Sequence, residues 1–256
     1  QQSSLAKISS GSRIVRASDD AAGLAVSARL QADISTLEQA SRNATQGRAV
    51  LQTADGALAR IGDILQRLKS LTAQAASGSV DATSRGFIQQ EIDQLATEID
   101  DIATQTEFNG ASLIDASYDE LFLVGVDSAD TISIDFTAAG DNVDATAATL
   151  SVESADLDVV TSDASRATAI DNVSAAIDTV SGYRATVGAA ISRFEYRGEY
   201  IESAIENLSA ANSSIKDVDI AAEQTKLVAS QVLTEASIAA LAQANQSKAS
   251  LLALLR

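Results

Sequence analysis

Positions taken alternately three and four apart from Ile170 to Ile215 are almost all apolar, and no other feature of the chain restricts its fold as strongly. The run reads Ile170, Val173, Ile177, Val180, Arg184, Val187, Ile191, Phe194, Gly198, Ile201, Ile205, Leu208, Asn212, Ile215, broken only by Arg184, Gly198 and Asn212. A seam sustained over roughly six heptads marks a long helix packed lengthwise against others. At 1.5 Å per residue it would be roughly 70 Å long, more than the width of a compact domain, so a rod is expected. Arg184 has two readings: a polar seam residue that sets register, or part of an inter-subunit contact.

Two more seams accompany it. Leu51, Ala54, Leu58, Ile61, Leu65 and Leu68, continued backward through Ala44, Leu37 and Ile34, predict a helix over about 21–76. Ser77-Gly78-Ser79 ends it, with Gly available for a left-handed cap. Ile88, Ile92, Leu95, Ile99 and Ile102 predict the next helix, with Ser84 as its N-cap and Phe108-Asn109-Gly110 as its end. The short 77–83 connection makes these two antiparallel neighbours. Between 113 and 160 the pattern changes. Residues 121–126 and 131–136 flank Asp127-Ser128-Ala129-Asp130, and Ile132, Ile134 and Phe136 alternate onto one face, which predicts a β-hairpin. Residues 137–151, rich in Ala, Thr, Asp and Gly, read as an exposed low-complexity insert, and 152–160 as room for a short strand. Residues 218–256 read as a last helix. Its apolar end, Leu251, Leu252, Leu254 and Leu255 before Arg256, is unlike an ordinary frayed terminus and wants a partner. The expected fold is mainly α: a long antiparallel helical bundle or coiled-coil rod with a small β-hairpin region and a variable insert.

Composition agrees. Pro is absent, so nothing in the chain breaks a helix by removing a hydrogen bond. Aromatics are only 4% and the apolar residues are mostly Ala, Leu, Ile and Val, which suit close helix seams better than a thick core. Without His or Cys the chain lacks the side chain that titrates nearest neutrality, thiolate nucleophiles, disulfides and soft metal ligands. A net charge of −17 disfavours nucleic acid. No uninterrupted apolar run approaches the ~20 residues of a bilayer span, so no membrane insertion is expected, and no signal peptide is read at Gln1.

The remaining candidates for chemistry are weak. Asp19-Asp20, Glu98 with Asp100 and Asp101, and Asp217 with Asp219 fall on helix faces or starts, where acids complement the helix dipole, and not on opposed walls of a cleft. Ser4 to Lys7 and Ser213 to Lys216 match S-x-x-K without its companion motifs. Asp127 to Asp130 reads as a solvated turn more readily than as a cation site. Sequons at Asn43, Asn172, Asn207 and Asn212 lie on predicted helices and read as accidents of composition. No catalytic group, metal site or cofactor is expected, and an enzyme is a distant reading.

Several ordered motifs carry a family likeness. Ile8-Ser9-Ser10-Gly11-Ser12-Arg13-Ile14 followed by Ser18-Asp19-Asp20-Ala21-Ala22-Gly23-Leu24-Ala25 closely resembles the N-terminal signature of bacterial flagellin. Ala40-Ser41-Arg42-Asn43-Ala44, Thr104-Gln105-Thr106-Glu107-Phe108-Asn109-Gly110, and Leu241-Ala242-Gln243-Ala244-Asn245-Gln246 running into Leu254-Leu255-Arg256 resemble further flagellin signatures. The likeness covers roughly 3–115 and 165–256. It implies an extracellular subunit of the flagellar filament, exported by the type III apparatus without a cleaved signal. The implied partners are other flagellin subunits, the export apparatus and its chaperone, and the hook-associated and cap proteins. A hook–filament junction protein is the alternative within the same likeness.

The resemblance also implies a division of the chain. Residues 1–20 correspond to the remnant of an N-terminal inner-tube segment, most of which is expected to lie outside this chain. Residues 21–112 and 164–216 correspond to the two parts of a helical core domain, 113–163 to the hairpin and variable surface insert, and 217–256 to the C-terminal inner-tube helix. Leu251, Leu252, Leu254, Leu255 and Arg256 are then the candidate subunit-assembly residues. Flagellins are sensed by a Toll-like innate receptor, and Arg67, Leu71 and Glu91 match its contact positions. Ser70 and Leu95 stand where recognised members carry an acid and an Arg, which leaves receptor activation open.

Overall fold

A computed structural model describes residues 1–137 and 143–254, with side chains up to 248. Its helices are α1 (Gln2–Ser10), α2 (Ala21–Ala76), α3 (Ala82–Gln105), α4 (Asp163–Lys216) and α5 (Ile220–Leu254). Two antiparallel hairpins lie between α3 and α4: β1 (Glu107–Phe108) with β2 (Ala111–Ser112), and β3 (Asp119–Leu123) with β4 (Thr131–Asp135). The chain divides into two compact units, one of Gln1–Ser35 with Ala204–Arg256, the other Thr36–Ser203.

The larger unit holds most of the core. Leu51, Leu58, Ile61, Leu65 and Leu68 of α2 and Ile92 and Ile99 of α3 are wholly buried. On α4 the seam resolves into two unequal rows. Val173, Val180, Val187, Phe194 and Ile201, spaced by seven, are buried, whereas Ile170, Ile177 and Ile191 are half-buried and Arg184 is exposed. Arg184 donates from Nε to Oδ1 of Asp55 on α2 at 2.8 Å, so it joins two helices of one chain. Phe194 is placed by a glycine: a Cβ on Gly47 of α2 would stand 2.6 Å from Cε1 of its ring. Burying each such large apolar side chain stabilises by about 1.5–3 kcal/mol.

The larger hairpin is where the alternation placed it. Phe122 pairs with Ile132 and Glu120 with Ile134, and Ile132, Ile134 and Phe136 are buried. Helices α2 and α4 grip three consecutive residues at its end. The Phe122 ring meets Phe194 edge-on with centroids 5.7 Å apart. Asn43 donates from Nδ2 to the Leu123 carbonyl at 2.9 Å, and Arg197 from Nε to the Val124 carbonyl at 2.8 Å. Asn43, read as an accidental sequon, thus has a structural partner. Asp130 in the turn is an acid held by a base, with Oδ1 3.3 Å from Nη2 of Arg197.

Four local expectations change. The N-cap of α3 is Asp81, not Ser84: its Oδ1 accepts the Ser84 N–H at 3.1 Å, a carboxylate satisfying one of the orphan donors of the first turn. Phe108-Asn109-Gly110 does not end α3, which stops at Gln105. Asn109 and Gly110 have φ of 53° and 80°, the left-handed pair that a two-residue hairpin needs, and they turn β1 into β2. Residues 152–160 form turns and no strand. The expected exposed insert at 137–151 is largely packed where described, with Val143, Ala145, Ala147 and Leu150 buried; residues 138–142 lie outside the described residues. The cause is polar side chains on α3 that claim the backbone of this stretch. Asp100 accepts from Ala147 N at 2.7 Å and Gln89 from Val159 N at 2.9 Å.

Two measurements test this account. Gly47→Ala is expected to destabilise the protein by about 1–3 kcal/mol, read from the urea midpoint, because the methyl collides with a fully packed ring. The Asp81 carboxyl is held below its ordinary value of 3.8 by hydrogen bonds from Ser84, side chain first and backbone second. The fold therefore favours the ionised form. Its contribution is complete above pH 3.8 and is lost as the pH falls through the lowered value. Asp81→Asn should flatten part of the acid-side fall in thermal midpoint; an unchanged pH profile would rule out the cap as a source.

Candidate assembly site

In the smaller unit, two stretches of chain meet side by side. Arg13 N donates to the Lys216 carbonyl at 2.6 Å and Val218 N to the Gly11 carbonyl at 3.1 Å. The Ser12 hydroxyl, nearly buried, bridges the Ile14 and Lys216 carbonyls at 2.9 and 3.1 Å. Gly11 permits this join, because with φ at 67° it ends α1 in the left-handed conformation that Gly adopts freely. The acidic pair at 19–20 then starts α2. Asp19 Oδ2 accepts from the Val15 and Arg16 N–H groups at 3.1 and 2.9 Å, and the Arg16 bond above all keeps its carboxyl below the usual range. Asp20 Oδ1 caps the helix by accepting from Gly23 N at 2.8 Å.

Beyond this join, α1 lies along α5. Gln1 Nε2 donates to the Ser230 carbonyl and the Thr234 hydroxyl, both at 3.0 Å. Glu223, nearly buried, is held below the usual Glu value by the Ser4 hydroxyl first and Lys226 second. The S-x-x-K matches dissolve at the same time: Ser4 serves Glu223, and the Ser213 hydroxyl donates to Asp217 at 2.6 Å.

What sets α5 apart is where its apolar side chains point. Ile220, Val228, Val232, Leu233, Ile238 and Leu241 are all exposed. At 3.6 residues per turn Ile220 and Ile238 fall on one side, Val228 and Val232 further round, and Leu233 and Leu241 on the others. A helix apolar on every side is ordinarily a buried one. These six residues were missed in the sequence because they follow no seam; the lack of a polar face was the available signal. Averaged along its length, α5 is also apolar enough to cross a membrane over Ile220–Lys248. Counting uninterrupted apolar runs missed this, since Ser, Gln and Asn interrupt the Ala, Val, Ile and Leu. Of the candidate assembly residues, Leu251, Leu252 and Leu254 continue α5, with their side chains outside the description. Leu255 and Arg256 lie outside the described residues.

The second candidate group lies on α2 and α3. Arg67 straddles Glu91, its Nε and Nη2 at 2.8 and 2.5 Å from the same Oε1, with both side chains about half exposed. Leu71 is only 2% exposed. Read as a candidate receptor contact, it lies one turn beyond Leu68 on the buried side of α2.

Comparison with known proteins gives the family. The pattern of the bacterial flagellin N-terminal helical region matches residues 1–119, and that of the C-terminal helical region residues 170–255. Flagellin of Halalkalibacterium halodurans is 39% identical over all of this chain and 92% of its own length. Flagellin of Bacillus subtilis is 38% identical with the same coverage. The crystal structure of Bacillus cereus flagellin, 30% identical, superposes on 67% of this chain and 94% of its own with a TM-score of 0.54. A putative flagellar hook-associated protein from Vibrio parahaemolyticus reaches a TM-score of 0.65 over 78% of this chain and all of its own, but at 12% identity it shares the fold alone.

The protein is therefore a structural one, a helical polymer subunit of the bacterial surface. It belongs to the bacterial flagellin family and is a subunit of the flagellar filament; the hook–filament junction reading is not favoured.

Proposed function

We propose that the chain joins the filament chiefly through its terminal helices, with α5 as the principal contact and Leu251, Leu252, Leu254, Leu255 and Arg256 as its anchoring end. The observation that carries this is the exposure of apolar residues on every side of α5. At about 25 cal/mol per Å² of apolar surface, burying such a helix against neighbours is a large driving force. The Gln1–Ser230 and Ser4–Glu223 contacts already cover part of one side. On this reading the divisions at 1–20, 21–112, 113–163, 164–216 and 217–256 are domains of the assembled subunit. The chain travels through a type III export apparatus without a cleaved signal. An export chaperone shields the same apolar helix beforehand, and hook-associated and cap proteins receive it afterwards. Its role is mechanical, with no enzymatic step.

Deleting residues 251–256 should leave the helical circular dichroism of the monomer in place and abolish elongation on sheared filament seeds, scored by electron microscopy. Seeds that lengthen at the undeleted rate would remove the C-terminal anchor from the account.

For innate recognition, Arg67 and Glu91 offer an accessible ion pair. Ser70 is exposed beside it and Leu95 half-buried. Ser70→Glu with Leu95→Arg should raise a Toll-like-receptor reporter response by about tenfold at fixed dose, in line with the weight that single charged anchors carry at interfaces. No change would show that these two positions do not limit recognition.

A further inference from the structure

Two of the four tyrosines stand in solvent one helical turn apart: Tyr196 is 74% and Tyr200 62% exposed on α4. Between them and the β3–β4 hairpin runs a groove of about 500 Å³ whose walls include Ile132, Arg193 and Arg197. Arg197 is occupied: it straps the hairpin and lies 5.3 Å over the Tyr200 ring. Arg193 is exposed and, among the described residues, makes no hydrogen bond or ion pair. This flank is cationic and aromatic, the composition enriched at protein interfaces.

The opposite flank of the same turns is acidic. Glu195, Glu199 and Glu202 line a second groove, of about 420 Å³, between α4 and α2. Arg48 answers only Glu195, at 3.8 Å, which leaves Glu199 and Glu202 without a base among the described residues. At 3.6 residues per turn, Arg193, Tyr196, Arg197 and Tyr200 cluster to one side of the buried Phe194–Ile201 row and the three glutamates to the other. One stretch of helix thus separates opposite charges across the core it covers.

We propose that these flanks pair between copies: Arg193, Tyr196 and Tyr200 of one subunit seat against Glu195, Glu199 and Glu202 of the next. The inference rests on the filament-subunit reading and names a contact within it, apart from the terminal helices. Charge selects the partner. A chain of net charge −17 repels its own copies wherever acids face acids, and an exposed Arg between exposed rings set against an acidic flank, of which Arg48 answers only Glu195, replaces that repulsion with attraction. Each copy carries both flanks on opposite sides, so the contact is head-to-tail and leaves one flank open at every step. Such a contact propagates without closing, as a polymer requires.

The test footprints the unsubstituted full chain with hydroxyl radicals, as monomer and as polymer grown on seeds. Tyr196 and Tyr200 should be modified several-fold less in the polymer, with half-buried Tyr183 as the internal reference. Arg193→Glu, at an exposed position without partners among the described residues, should keep the monomer's circular dichroism and slow seeded elongation by about tenfold. Adding Glu199→Arg to that chain should restore most of the rate. Equal labelling of both tyrosines in monomer and polymer, undiminished elongation of Arg193→Glu, or no recovery in the double variant would each overturn the pairing while leaving the filament reading intact. Failure of the unsubstituted chain to extend seeds would overturn both together.

Discussion

The larger unit depends on a ring seated in a gap. Phe194 lies where Gly47 has no side chain, and its other side meets Phe122 edge-on. In a chain with 4% aromatic residues that placement substitutes for a thick core. It brings α2, α4 and the β3–β4 hairpin together with one side chain, and the neighbouring polar contacts depend on it. Asn43 stands one turn before Gly47 and Arg197 one turn after Phe194, and each holds a carbonyl of the hairpin beside Phe122. Were the ring displaced, both polar contacts would lose the register that brings them within reach.

Much of this was legible in the sequence because periodicity survives translation into structure. The seam of α4 and those of α2 and α3 place their helices, and the alternation of Ile132, Ile134 and Phe136 places the hairpin with its buried face. The illegible parts are those where a polar side chain from elsewhere satisfies the backbone. Residues 143–159 look like a solvated loop by composition and are instead fastened to α3 by Asp100, Asp93 and Gln89. No local pattern announces such a contact, since donor and acceptor are dozens of residues apart. The α3 cap shows a smaller version of the same limit: Asp81 and Ser84 are both good caps, and only geometry separates them.

The candidate site was legible by halves. The family motifs located the ends and the Arg67–Glu91 pair, and the structure joins that pair directly. Leu71 shows what motif matching leaves out, because a matched position can be buried and not at the surface. The apolar residues around α5 escaped a search for seams because a helix covered on all sides carries no stripe. The opposed flanks of α4 escaped it too, since they alternate within one heptad and separate only when wound onto a helix.

The exposure of α5 has a thermodynamic corollary. On the proposed assembly, where neighbouring copies cover α5, its stability would come from mass action, and its melting temperature would be set by how many copies surround it and not by its own sequence alone. Loss of neighbours and loss of helical order then become a single transition. A subunit at the exposed tip of such a polymer would then be its softest part, and one in the middle would have no weak end to fray from.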